Sequence, residues 1–296
     1  MLEWKPKRLL GSGIGIGAML AIFLLDGLLL HILKSQPLTF ISFLLGLLIA
    51  LSLPLLVILG YLLYGLFSLR YLMGRDSLVI SWARRQEIIP LAAIESIVSA
   101  ENVEEQIRIR GLSWPGYCIA RGHGDKLGEV LFYSTDRPAE QLLVTTPSIS
   151  YMISPSNPTG FLSALRARQG LGPAQGLQQA RKDRGLVALS IWHDWKALGL
   201  AASGAVANAG LFAYMTARYP YLPELVPLLS QAGQVKLIGT KEELLQLPIV
   251  GLIVFLTNTI LGFALHRSER LVTYFLTATA LLVQILFWSA AVSIIR

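Results

Sequence analysis

The stretch GEVLFYSTDRPAEQLLVTT, residues 128–146, alternates apolar and polar side chains and gathers its charges in the middle. Period-two alternation marks half-buried strands, and Asp136-Arg137-Pro138 supplies turn chemistry between two of them. The expectation is a β-hairpin. The chain around it is of another kind. Of 296 residues, 54% are hydrophobic and 15% charged, and the mean hydropathy is +0.58. Soluble domains carry about a quarter charged residues, so the surrounding chain reads as a membrane protein and the hairpin as part of a soluble insert.

A hydrocarbon core about 30 Å thick needs about 20 apolar residues in a helix. Five runs qualify: 9–32, 38–69 (interrupted by Pro54), 195–217, 247–265 and 271–294. The first is read as an uncleaved signal anchor, because its apolar stretch is long and no small-x-small cleavage site follows. Lys5, Lys7 and Arg8 precede span one. Arg70 and Arg75 follow span two, Arg181, Lys182 and Arg184 precede span three, and Arg267 and Arg270 join spans four and five. This bias puts the N-terminus and residues 76–190 in the cytoplasm and the C-terminus outside. Trp192 and Trp195 fit an inner aromatic belt, and Tyr219, Tyr221 and Trp288 an outer one. The net charge of +7 is thus read as topology rather than as nucleic-acid binding.

Seven strand-like words fill the insert: SLVISW, QEIIPL, IESIVSA, GYCIARG, EVLFYS, QLLVTT and ISYMIS. Ala83-Arg84 makes a tight turn between the first two. A helix follows, capped by Asn157 with Pro158 in its first position; Phe161, Leu162 and Leu165 form its apolar face, and Gly170 its stop. The domain plan is two spans in 1–75, a cytoplasmic domain in 76–170, a linker in 171–194, and three spans in 195–296 with an outer loop at 218–246.

Seven strands closed by one C-terminal helix is the order of a pleckstrin-homology (PH) domain. IIPLAAIESI, WPGYCIARGHGDKLGEVLFYST and YMISPSNPTGFLSAL resemble, in that order, the opening, the Gly-rich hairpin and the helix entry of bacterial PH-like domains. The resemblance implies a membrane α-helical protein with an inserted all-β PH-like barrel closed by one helix. Its loop rim would suit protein docking or contact with membrane lipid. Residues 197–265 resemble the first module of the immunity membrane proteins of the sporulation-delay toxin system. The matching words are Leu222-Pro223, Val226-Pro227, Gly233, Gly239-Thr240-Lys241 and Leu247-Pro248. That family often has a His two residues after the second Pro; here the position is Leu229.

Chemistry-bearing residues are sparse. One cysteine, Cys118, and four dispersed histidines offer neither a disulfide framework nor a metal site. Gly11, Gly13, Gly15 and Gly17 alternate without the spacing of a phosphate loop; Gly13 and Gly17 are read as a small-xxx-small helix contact. His123-Gly124-Asp125 reads as a turn, and His193-Asp194 as an interfacial anchor. Arg84 and Arg85 sit on the first hairpin, where a pair of guanidinium groups can meet lipid phosphate. Asp26 is the one acid inside an apolar run, read as solvated near the outer end or paired locally with His31 or Lys34. Asn208, Asn258 and Gln284 are polar residues inside spans three to five. No catalytic set, cofactor site or metal site emerges. The expected role is a non-catalytic scaffold, regulator or accessory subunit with a protein partner or a second copy of itself. A small transporter, toxin-immunity protein or sensor is the alternative, and no nucleic-acid partner is expected.

Overall fold

The apolar runs become helices, and the alternating words become strands. The computed structural model describes residues 1–102, 107–125, 127–137, 140–170, 179–183, 190–229, 235–266 and 269–295. Among the described residues there are six α-helices: α1 (Leu9–Ser35), α2 (Phe40–Ser68), α3 (Pro158–Gln169), α4 (Trp195–Arg218), α5 (Gln246–Leu265) and α6 (Arg270–Ile295). All but α3 are long and apolar enough to cross a membrane, as expected. The chain divides into two units, Met1–Leu24 with Leu53–Ala188, and Leu25–Ser52 with Leu189–Arg296.

Among the described residues the first unit has eleven strands: β1 (Leu2–Trp4), β2 (Arg70–Met73), β3 (Ser77–Trp82), β4 (Arg85–Pro90), β5 (Ser96–Ser99), β6 (Arg108–Trp114), β7 (Tyr117–Gly124), β8 (Gly128–Ser134), β9 (Leu142–Thr145), β10 (Ser150–Ile153) and β11 (Ala180–Asp183). They form two sheets, in the orders β1-β2-β3-β4-β11 and β5-β9-β10-β8-β7-β6. All seven expected strands are present, as are four that were not foreseen. Neither sheet closes, so the barrel expectation is corrected: β1, β11, β5 and β6 are edges, and the sheets instead share a core between them. Tyr71, Met73, Leu78, Ile80 and Ile89 of one sheet meet Leu131, Tyr133, Val144, Tyr151 and Ile153 of the other. Phe161 and Leu165 of α3 join them, with Leu62 and Leu66 from the end of α2 and Leu69 just past it. Strand β1 pairs with β2 (Leu2 opposite Met73), so the N-terminal residues join the first sheet.

The hairpin expected at 128–146 is also corrected. Strands β8 and β9 are not neighbours. Strand β10 lies between them, parallel to β8 (Ser150 opposite Val130) and antiparallel to β9 (Tyr151 opposite Val144). The physical reason is burial: all four residues of β10 are buried, so this strand needs a partner on each side. Within the stretch read as a linker, β11 extends the first sheet beside β4, with Arg181 opposite Glu87. Asn157 caps α3 as foreseen, its Oδ1 accepting from the Gly160 N–H at 3.0 Å. Gly170 follows the helix in right-handed geometry (φ −64°) and is no left-handed stop. Gly13 and Gly17 face open space; the tight glycines are Gly11, where a methyl would strike the Gly116 carbonyl, and Gly15, where it would strike Leu63.

In the second unit, α4, α5 and α6 pack through small residues. Gly204 meets Phe255, Gly210 meets Trp288, and Gly251 lies against Asn208 and Gln284. The Trp288 indole donates to the Ala207 carbonyl at 2.8 Å, which ties α6 to α4. Between α4 and α5, β12 (Leu225–Leu229) and β13 (Val235–Thr240) pair antiparallel. Pro138, residues 171–178 and 184–189, Gly233, Arg267 and the His193 side chain, all invoked above, lie outside what is described.

Candidate functional site

In the first unit, the six-stranded sheet has one face on the shared core. Its other face carries Ala120, Val130, Phe132, Leu143 and Met152, with Ala100, Ile107 and Cys118 packed against them. A cleft of about 1220 Å³ opens over this face. Phe132, Met152 and Cys118 line it from the sheet, with Ile107 and Ile109 beside them, and Lys7 to Leu10 line it from the N-terminal segment.

The walls are fixed by the turn joining β6 to β7. Gly116 takes a left-handed conformation (φ +84°), and its carbonyl packs on Gly11. The Trp114 indole donates to the Gly11 carbonyl at 3.1 Å, and its ring lies 4.6 Å from that of Tyr117. This turn therefore seats directly on the start of α1. Arg8 donates to the Leu69 carbonyl just past α2, satisfying an acceptor that the helix end leaves free. Burial lowers the Arg8 guanidinium pKa, and the Glu3 charge opposes that.

The rim is charged with both signs. Lys7 Nζ lies 3.8 Å from Asp136 Oδ2 and 3.5 Å from Glu140 Oε2. Desolvation raises the Asp136 pKa; Lys7 works against this, and Glu140 adds to it. Arg137 is exposed beside them. Sequence reading missed this rim. The signal was present only as a basic start to the chain and a charged loop well over a hundred residues later, and nothing local joins the two.

Arg84 and Arg85 do not form a clamp on a common face. Arg84 is exposed in the turn, whereas Arg85 is half-buried with its guanidinium 5.9 Å from the Trp82 ring. Their hairpin packs against the end of α2: Ser68 Oγ accepts from the Ala83 N–H at 2.6 Å, and the Tyr61 and Trp82 rings meet edge-on at 5.7 Å.

The polar residues of the spans separate into different roles. Asn208 and Gln284 come together, Asn208 Nδ2 donating to Gln284 Oε1 at 3.0 Å and to the Pro248 carbonyl at 3.1 Å. Gln284 Nε2 donates to the Gly251 carbonyl at 2.8 Å, so the pair ties α4, α5 and α6 together. Asn258 instead donates to the Val254 carbonyl of its own helix at 2.8 Å. Asp26 is buried, with Ser52 Oγ donating to its Oδ2 at 2.7 Å; its partner is thus on α2, not His31 or Lys34.

A second cluster went unforeseen. Asp194, read only as an interfacial anchor, caps α4 by accepting from the Ala197 N–H at 3.2 Å. It also accepts from Tyr274 O–H at 2.6 Å and lies 3.6 Å from Nε2 of the buried His266. Tyr274, ahead of the capping amide, lowers the Asp194 pKa. His266 Nδ1 is 3.2 Å from Thr273 Oγ1, which donates to the Gly262 carbonyl at 2.8 Å. The partners lie at or near the start of α4, the end of α5 and the start of α6, so the cluster ties three helix ends together. Among the described residues, no three His, Cys, Asp or Glu side chains gather as a metal site would require.

No curated protein and no solved structure matches this chain. Residues 69–169 match the family described as the bacterial PH domain. The match begins at the end of α2 and ends with the last residue of α3, so it spans β2 to β10 and the helix that joins their core. Residues 69–169, between the second and third candidate spans, are a bacterial PH domain.

Proposed function

We propose that this chain is a non-catalytic membrane protein that holds its PH domain at the cytoplasmic surface of a bacterial inner membrane, where the domain docks a protein partner. One observation carries the reading. Among the described residues, β6 pairs with β7 alone, leaving its other side as an edge, and Ile109 and Leu112 on it are half exposed. An open edge offers main-chain donors and acceptors, and apolar side chains along it supply specificity, which is the physics of strand addition. Arg108 and Arg110 flank Ile109 on this strand and favour an acidic segment. Such a protein would serve as a scaffold, regulator or accessory subunit.

A photoreactive residue at position 112 tests this in cells. A discrete cross-linked protein, lost when Ile109 is changed to Asp, supports strand docking. Absence of any discrete adduct sinks it. Orientation has its own test: an impermeant maleimide should modify Cys118 in inverted vesicles and not in intact cells.

The second reading, a small transporter or toxin-immunity protein, draws on the buried Asp26–Ser52 pair. An acid inside an apolar span is costly unless it serves an ion or proton path or is structurally paired. If Asp26→Asn abolishes the cellular phenotype while Ile109→Asp leaves it intact, this reading replaces the first.

A further inference from the structure

We propose that the cleft over the second face of the six-stranded sheet holds a bilayer phospholipid whose headgroup carries a primary amine, of the phosphatidylethanolamine class. This goes beyond docking at β6 and does not depend on it.

Three observations converge. The first is continuity with the lipid-facing surface. Leu9 and Leu10 line the cleft and also open α1; they are 91% and 60% exposed at the start of an apolar run long enough to cross a membrane. A bilayer lipid reaches the cleft without crossing water. The second is the polarity gradient. Ile107, Ile109, Phe132 and Met152 give an apolar floor, whereas the charges stand at the rim. At about 1220 Å³ the cleft exceeds the few hundred to 1,000 Å³ typical of small-ligand pockets, which suits a headgroup with the first part of its chains.

The third observation selects the headgroup. Asp136 and Glu140 share one ammonium, that of Lys7, at 3.8 and 3.5 Å. Two carboxylates against one cation leave a site for a second cation, and the lipid amine fills it with charge-assisted hydrogen bonds. Arg137, exposed beside Asp136, faces the adjoining phosphate. A zwitterion thus meets both signs of the rim. A phosphatidylglycerol would bring its phosphate to the two carboxylates with no amine to offset them. Arg8 is committed to the Leu69 carbonyl and holds the wall in place.

The test uses the full chain in mild detergent with equal amounts of dioleoyl phosphatidylethanolamine and dioleoyl phosphatidylglycerol, read by native mass spectrometry. The amine lipid should be retained in preference by on the order of 10-fold, the worth of one charge-assisted contact. Asp136→Asn with Glu140→Gln should abolish that preference. Glu140→Gln alone changes an exposed side chain whose contact with Lys7 is a solvent-exposed ion pair of little worth to the fold, and it should weaken the preference, which separates site loss from misfolding. Cys118, the one cysteine of the chain, gives a second readout, because it lines the cleft. Its reaction with maleimide should slow severalfold with the amine lipid and not with the glycerol lipid. Equal retention, preference for the glycerol lipid, a preference that survives both substitutions, or a cleft filled by a polypeptide each overturns the proposal. Failure of the position-112 cross-link with lipid preference intact would sink strand docking and leave this inference standing.

Discussion

The two units of this chain bury opposite kinds of residue. Between the sheets of the PH-domain unit lie Tyr71, Met73, Leu78, Ile80, Ile89 and Phe161, all nearly or completely inaccessible. In the helical unit the buried residues include Ala197, Ala280, Ala291, Thr273, Thr277, Asn208 and Gln284, with Leu211, Met215, Leu244 and Phe255 among the few large apolar ones. The large apolar residues there, Ile253, Ile260, Phe275, Leu282 and Leu286, face outward. Each arrangement follows from its solvent. Water drives large side chains inward, at roughly 25 cal/mol per Å² of apolar surface. Lipid tails are as apolar as leucine, so nothing expels leucine from them; helices then associate through close backbone approach and through hydrogen bonds between polar side chains. One chain therefore carries two folding codes, and a substitution that is severe in one unit should be mild in the other.

The widest gap is expected between two phenylalanines. Phe161, fully buried with its ring edge-on to Trp4 at 5.9 Å, should cost about 3–5 kcal/mol as Phe161→Ala, from lost transfer energy and the cavity left behind. Phe275, 72% exposed on α6, should cost under about 0.5 kcal/mol as Phe275→Ala, as exposed positions generally do. Thermal unfolding of the full chain in detergent measures both. Equal costs would mean that Phe275 packs against something other than lipid, and the comparison would fail.

Alkali should attack the sheets of the PH-domain unit. Burial pushes the Tyr71 phenol up to about 12, and the Ser154 N–H donating to its oxygen opposes that only in part. Tyr151 is likewise pushed up to about 12, and burial raises Tyr117 and Tyr133 as well. A folded pKa above the unfolded value near 10 stabilises the fold fully below pH 10, and that contribution is lost as pH rises toward 12. For Tyr71 the loss amounts to about 3 kcal/mol, two pH units at about 1.4 kcal/mol each. Phenolate absorbance should therefore appear late and cooperatively, together with loss of sheet signal. Smooth titration of these tyrosines from pH 10 with the fold intact would show that the sheets do not exclude solvent.

How much of this was legible in the sequence follows the same division. The five spans were readable because hydrophobic length alone defines them. The seven strand words were readable because alternation is local. Pairing was not: β10 inserts between β8 and β9, a choice made by the burial of Ser150–Ile153 on both faces and not by the turn at Asp136-Arg137. The cap at Asn157 is a three-residue interaction and was foreseen; the docking of Gly116 on Gly11 joins residues 105 positions apart and was not. Of the polar span residues, Asn208 and Gln284 were named without any sign that they would meet, because periodicity gives a helix its faces and not its neighbours. The same gap hid the cleft rim, whose Lys7 comes from the N-terminus and whose Asp136 and Glu140 come from the β8–β9 loop.

The Asn208–Gln284 pair measures how much polar contacts hold the helical unit together. Interhelical hydrogen bonds average about 0.6 kcal/mol and reach about 1.7. Gln284→Leu removes bonds to both Asn208 and the Gly251 carbonyl, so about 1 kcal/mol should be lost. Combining it with Asn208→Leu should cost less than the sum of the two, because each single change leaves the other amide short of a partner in an apolar interior. Strict additivity in a double-mutant cycle would mean that the two amides act separately through the Pro248 and Gly251 carbonyls.

The smallest effect should return to the PH-domain unit and carry the opposite sign. Ala83 sits in the left-handed region (φ 49°) at the turn between β3 and β4, where a Cβ is a liability. Ala83→Gly relieves that strain but gives up the packing of a half-buried methyl against the core, leaving a gain of about 0.5 kcal/mol. The gain depends on the backbone staying where it is, and the Ser68 Oγ bond to the Ala83 N–H is what holds it against α2. With Ser68→Ala in place, the turn can relax without glycine, and the same substitution should gain nothing. A full gain in the Ser68→Ala background would show that the hairpin is held by its own strand pairing and owes no order to the membrane helix beneath it.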